Sequence, residues 1–211
     1  MIEYVVGSNP DNRVLTRASR ILNEGGLVCF PTETNWVVCA SPFHKEGVDK
    51  LYRLRHVENT KHFSVLCNSF QKAMEIAVID DHAFSVIKKI IPGAYTFIFE
   101  SQKKITKWLK ASKVDHQVGV RFSPSVLCQK LLEAHGEVVI CTHVSHEMVG
   151  EDDGFIPLYS AQIDDALGAM IELIIDPGEY EFIGKTTIID WTSGVPEIIR
   201  EGVGSTKLFQ R

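Results

Sequence analysis

Short runs of β-branched and aromatic residues interleave with amphipathic helical segments without strict alternation, and this irregular order is the strongest constraint on the fold. The runs are Leu27–Phe30, Asn35–Ala40, Phe63–Cys67, Tyr95–Phe99, Val118–Phe122, Val138–Thr142, Ile171–Ile175, Thr186–Trp191 and Glu197–Arg200, and each reads as a strand. Between them, Val14, Leu15, Ala18, Ile21 and Leu22 keep a 3.6-residue period that begins after Asn9-Pro10 and stops at Gly25-Gly26. A second helix follows Ser123-Pro124, with Ser123 as the expected N-cap, and ends at Gly136. A third starts at about Asp81 and is stopped by Pro92-Gly93. Weaker helical patterns cover residues 45–55, 69–77, 103–110 and 161–168, and residues 145–160 read as a long acidic loop. Three of the last strands follow one another through turns alone. A purely parallel doubly wound sheet needs strict alternation, so the expected class is α/β with one mixed sheet and flanking helices.

The chain has 211 residues and 45% hydrophobic content, enough to bury a core as one domain over residues 1–211, which excludes a disulfide miniprotein and a disordered tail. No stretch approaches the roughly 18 apolar residues of a membrane helix, and the N-terminus lacks a basic region before an apolar one. A cytoplasmic protein without a membrane partner is expected. Five cysteines, Cys29, Cys39, Cys67, Cys128 and Cys141, lie mostly in apolar runs without C-x-x-C spacing, and read as buried thiols serving as small hydrophobes.

The formal net charge of −5 argues against a general polyanion binder. Its distribution argues for a local one. Residues 1–43 carry 3 basic and 4 acidic side chains, residues 44–121 carry 14 and 8, and residues 122–211 carry 5 and 15. The basic middle can attract an anion.

Two motifs fail on inspection. Gly178-Glu-Tyr-Glu-Phe-Ile-Gly184-Lys185-Thr186 resembles a P-loop but has five residues between its glycines where four are required. It also leads into β-branched Thr186-Thr-Ile-Ile, a strand and not the helix whose N-terminus would face phosphate. His143 and His146 form H-x-x-H after a strand, where a spacing of three sends the side chains to opposite faces, so no metal site is expected there.

A third constellation is more informative. Pro31-Thr32-Glu33-Thr34 lies between two strands and is followed by Arg53-Leu-Arg55, Lys61, Pro92-Gly-Ala-Tyr-Thr96, Val118-Gly-Val-Arg121, Thr142, Thr186-Thr187 and Arg200-Glu-Gly202-Val-Gly204. Arg, Lys, Thr and Gly recurring at strand ends is how an open α/β sheet builds an anion crevice. In this order, with Gly26-Leu-Val-Cys-Phe-Pro31, Thr186-Thr-Ile-Ile-Asp190 and Ile199-Arg-Glu-Gly-Val-Gly204, the motifs resemble the YrdC/YciO-type family over most of the chain. Enzymatic members of that family make threonylcarbamoyl-adenylate for tRNA modification.

The resemblance implies one twisted mixed sheet with a deep, positively lined groove, and a nucleotidyltransferase that uses ATP, threonine and bicarbonate, with Mg2+ accompanying the ATP. It implies catalytic roles for Arg53 and Arg55. Nucleotide binding would fall to Lys61, Thr96, Arg121, Thr142, Ser145, Thr187 and Arg200, and substrate binding to Thr32, Thr34 and Trp36. Arg53-Leu-Arg55 stands where enzymatic relatives have Lys-x-Arg, Trp36 where they have tyrosine, and Thr142-His143-Val144-Ser145 where they have Thr-Ser-Ala-Asn. These departures resemble the YciO-type branch. The alternative function is a non-catalytic module that grips tRNA or double-stranded RNA by its phosphates in the same groove.

Overall fold

The computed structural model describes residues 1–55, 63–102, 116–151 and 157–210. The helical pattern at 103–110, Lys61 and part of the acidic loop lie outside them. The described strands form one open mixed sheet. In chain order they are β1 (Ile2–Tyr4), β2 (Val28–Pro31), β3 (Trp36–Ala40), β4 (Ser64–Leu66), β5 (Tyr95–Glu100), β6 (Gln117–Arg121), β7 (Val139–His143), β8 (Leu173–Asp176), β9 (Thr187–Asp190) and β10 (Glu197–Arg200). Their spatial order is β1-β8-β2-β3-β7-β4-β6-β5-β9-β10. Parallel pairs (β1·β8, β2·β8, β4·β6, β5·β9) mix with antiparallel ones, so the expectation of a mixed α/β sheet holds.

Strand periodicity divides the core in two. On one face Trp36, Val38, Val65, Phe97, Val120, Ile140 and Ile189 pack in one cluster. Residues of α2 (Lys45–Leu54), α3 (Phe70–Met74), α4 (Asp81–Ile87) and a helix at Ser160–Leu167 join it. On the other face Phe30, Val37, Cys39, Leu66, Val139, Cys141, Leu173 and Ile175 meet α1 (Asn12–Asn23) and α5 (Val126–His135). The Ser160–Leu167 helix is α6. Asp11 caps α1 by accepting from Arg13 N at 2.7 Å, and the apolar stripe read from the sequence is the buried one.

Three local readings change. β1 has no counterpart among the expected strands. It is a three-residue strand held by parallel pairing with β8, a partner some 170 positions along the chain, so no local signal announces it. The helix that starts at Asp81 ends at Ile87 and continues only as turns to residue 90. α5 begins at Val126 with Ser125 as its N-cap, whose Oγ accepts from Cys128 N at 3.4 Å. Ser123 is drawn away by a long-range partner, donating its hydroxyl to Glu33 Oε2 at 2.5 Å. Ser125→Ala should therefore cost about 1 kcal/mol of unfolding free energy in a denaturant titration. An unchanged midpoint would show that this cap does no stabilising.

Candidate functional site: a cationic cavity on the open half of one sheet face

Helices α1 and α5 cover only part of their face of the sheet. Ser64 stands opposite both Cys141 and Gly119 in register, and Thr96 stands opposite Ile188, so these positions line up along the same face. Ser64, Thr96, Cys141 and Ile188 form the floor of a half-open cavity of about 460 Å³, a volume within the usual range of small-molecule sites. Gly119 sits beside the floor, where an added Cβ would crowd Thr96 Cγ2 at 3.3 Å.

The walls come from distant parts of the chain. Thr34 and Asn35 come from the β2–β3 turn, Arg55 from the residue after α2, and Arg121 from the end of β6. Thr142 and His143 come from β7, Lys185 and Thr186 from the approach to β9, and Arg200 from the end of β10. Four cations thus converge on one space.

Arg121 is held most firmly. It is 7% exposed and donates through Nη2 to Glu33 Oε1 at 2.7 Å and to Thr34 Oγ1 at 2.9 Å. Ser123 secures the other carboxylate oxygen of Glu33. The turn that carries Glu33 is itself braced, since Thr32 Oγ1 donates to Asn35 O at 2.9 Å and Ile183 N donates to Glu33 O at 2.9 Å. Arg200 donates from Nε and Nη2 to Thr186 O at 3.1 and 2.8 Å, and from Nη2 to Thr186 Oγ1 at 3.0 Å. Thr186 Oγ1 lies 3.0 Å from Thr96 Oγ1, which ties Arg200 to the floor. Burial, and then the Arg121 guanidinium, pull Arg200 below the usual arginine range, so the two cations feel each other. Arg55 lies over the Phe63 ring at 5.0 Å. Such an array of oriented donors favours a compact anion with several negative charges.

The structure brings together Thr34, Arg55, Thr96, Arg121, Thr142 and Arg200 from the residues singled out in the sequence. Lys61 lies outside the described residues, and the other five stand elsewhere. Arg53 is exposed on α2 and does not line the cavity, because two helical positions differ by about 200° in direction. Trp36 points into the opposite core with no exposed surface, donating Nε1–H to Leu158 O at 2.8 Å and meeting Tyr180 edge-on at 5.1 Å. Thr187 is equally buried and bridges two chain segments, donating to Gly204 O at 2.6 Å and accepting from Gly202 N at 3.0 Å. Thr32 shapes its turn, and Ser145 Oγ accepts from Met148 N at 3.3 Å.

Sequence reasoning missed Asn35, Ser64, His143 and Lys185. Lys185 belongs to the P-loop-like stretch. No helix follows it, as its β-branched continuation foretold, yet Lys185 and Thr186 reach the cavity all the same. No group of three or more His, Cys, Asp or Glu side chains suited to a metal occurs among the described residues.

The fold matches those of known proteins. The Escherichia coli K12 protein YciO, described as uncharacterised, is 29% identical over 98% of this chain and 97% of its own length. The crystal structure of E. coli YciO matches with a TM-score of 0.85, covering 100% of this chain and 99% of that one. The crystal structure of Pyrococcus abyssi Sua5 complexed with L-threonine matches with a TM-score of 0.82 at 24% identity, over 96% of this chain and 57% of that one. The threonylcarbamoyl-AMP synthase of P. abyssi is 24% identical over 88% of this chain, which spans about half of that enzyme's length. The Sua5/YciO/YrdC family model, described as telomere recombination, matches residues 20–202, a span that contains every cavity-lining residue; the chain is a member of that family.

Proposed function

We propose that the cavity binds ATP beside an amino acid and transfers the adenylyl group to the carbamate of threonine. The observation that carries this reading is the convergence of Arg55, Arg121, Lys185 and Arg200 with the hydroxyls of Thr34, Ser64, Thr96 and Thr142 around one cavity. A triphosphate brings about four negative charges, and cations held in place before it arrives stabilise the charge that shifts onto the leaving group. The similarity to P. abyssi Sua5, solved as a complex with L-threonine, supports the amino-acid half of the reading.

The reaction balances without acid–base work by a dedicated side chain. The threonine amine and bicarbonate give a carbamate and water. A carbamate oxygen then bonds to the α-phosphorus of ATP as the bond to the bridging oxygen breaks, and pyrophosphate leaves. Arg121 and Arg200, braced by Glu33 and Thr186, would hold phosphate oxygens in line for this displacement, while Thr34 and Asn35 face the entering acid. Glu33 is occupied by Arg121 and Ser123, so the described lining offers no free carboxylate cradle for a divalent cation. Magnesium fits this cavity as part of the nucleotide salt, on phosphate oxygens.

The test combines protein, magnesium, ATP, threonine and bicarbonate. Pyrophosphate should be released together with threonylcarbamoyl-AMP, and ATP with magnesium should raise the melting temperature. Saturation at a hundredfold the Kd would add about 2.7 kcal/mol. An unchanged melting temperature together with no pyrophosphate above blank, where the P. abyssi synthase releases it, would overturn the proposal. Retardation of tRNA without any nucleotide-induced shift would assign the cavity to a phosphate backbone instead.

A further inference from the structure

The five cysteines are buried and unpaired, but they are not equivalent. Cys39 on β3 and Cys141 on β7 are register partners in an antiparallel ladder, so their side chains project side by side from the same face of the sheet. Directly opposed residues in such a ladder have Cα atoms about 4.5–5.5 Å apart. A disulfide spans about 4.4–6.8 Å, so the backbone already holds this pair at bridging distance. Cys141 lines the cationic cavity, and Cys39 lies behind it with no exposed surface. One sulfur faces the space that small solutes enter; the other faces the first.

The environment separates the two chemically. The neighbouring Cys39 thiol, with help from the Arg121 guanidinium, favours the Cys141 thiolate and holds its thiol below the usual cysteine range against the effect of burial. Burial, and then the adjacent Cys141, push Cys39 well up. Burial also raises Cys29 and Cys67, and pushes Cys128 up to about 12. The thiolate is the reactive form of cysteine, so Cys141 is the sulfur on which a nucleophile's charge is best supported.

We propose that Cys141 and Cys39 form a hydroperoxide-reactive dithiol in the wall of the cavity, with Cys141 as the attacking sulfur and Cys39 as the resolving one. The Cys141 sulfur attacks one oxygen of hydrogen peroxide, an S–O bond forms, and the O–O bond breaks. The departing hydroxide takes up the proton lost by Cys141 and leaves as water. The Cys39 sulfur then attacks the Cys141 sulfur, the S–S bond forms, and the S–O bond breaks. The hydroxyl leaves with the Cys39 proton as a second water. Two thiols are oxidised and one peroxide is reduced. The competing partner is Cys128 on α5, which shares the apolar cluster with both.

The full chain is treated with hydrogen peroxide under native conditions, free thiols are then blocked, and peptides are mapped without reduction. The expected result is loss of two of the five thiols, with the Cys39 and Cys141 peptides joined. Cys39→Ala should stop the reaction at a sulfenic acid on Cys141 that a dimedone-type reagent captures, and Cys141→Ala should keep its remaining thiols. If either variant fails to fold, the wild-type map still decides. A bridge to Cys128, earlier oxidation of Cys29 or Cys67, or five intact thiols in a tube where added glutathione is consumed would each overturn the proposal. No nucleotide enters the experiment, so its outcome is independent of adenylyl transfer.

Discussion

Arg121→Met is expected to lower the unfolding free energy by about 3–5 kcal/mol, the largest stability effect of any single side chain in the cavity. The reason is the partner left behind. Glu33 has a side chain only 8% exposed and meets Arg121 at 2.7 Å, and without the guanidinium its carboxylate keeps only the Ser123 hydroxyl. The desolvation that the pair shares would then fall on one uncompensated charge. Glu33→Gln in the same chain removes that charge, and the double variant should recover most of the loss. A chemical denaturation cycle over the two singles and the double gives the coupling directly. A loss under about 1 kcal/mol for Arg121→Met would mean that solvent reaches the pair and screens it. The double variant also separates structure from binding, because it should fold and yet show no melting shift with ATP and magnesium.

Most elements are legible in the sequence because their signals are local. The 3.6-residue stripe of α1 and the β-branched runs of β3 and β5 to β7 place the buried faces where the structure has them. What fails depends on partners far away in sequence. β1 exists through β8, and Ser123 leaves its expected capping position for Glu33, 90 residues earlier. The cavity repeats this pattern. Motif order alone brings out Arg121 and Arg200, but of the threonine pair it selects Thr187 as the one that faces the nucleotide. Thr186 lines the cavity and Thr187 does not, because adjacent strand residues point to opposite sides. The same alternation, applied to Trp36, Val38 and Ala40, puts Trp36 on the apolar side of β3, away from the substrate role that motif order suggested for it. Lys185 escapes notice because its neighbourhood imitates a different motif. The P-loop reading fails there, but a lysine needs no P-loop to reach a phosphate.

The contrast between Arg53 and Arg55 gives the sharpest functional test of the cavity. Both are guanidinium groups in the same tripeptide, and sequence cannot tell them apart. In the structure Arg55 lines the cavity beside Phe63, while Arg53 is exposed on α2. A hydrogen bond to a charged group contributes about 1.5–3 kcal/mol, which corresponds to a rate change of about 10- to 100-fold when it acts on the transition state. Arg55→Ala should therefore lower threonine-dependent pyrophosphate release by about 10- to 100-fold. Arg53→Ala should leave it within about twofold, since an exposed cation acts on the cavity only through screened, long-range attraction. Arg55→Lys distinguishes charge from shape. A point charge should restore ATP affinity without restoring the full rate, because an ammonium cannot present two parallel donors to phosphate oxygens. Equal losses for Arg53→Ala and Arg55→Ala at physiological salt would place the reacting phosphates outside this cavity and defeat the assignment.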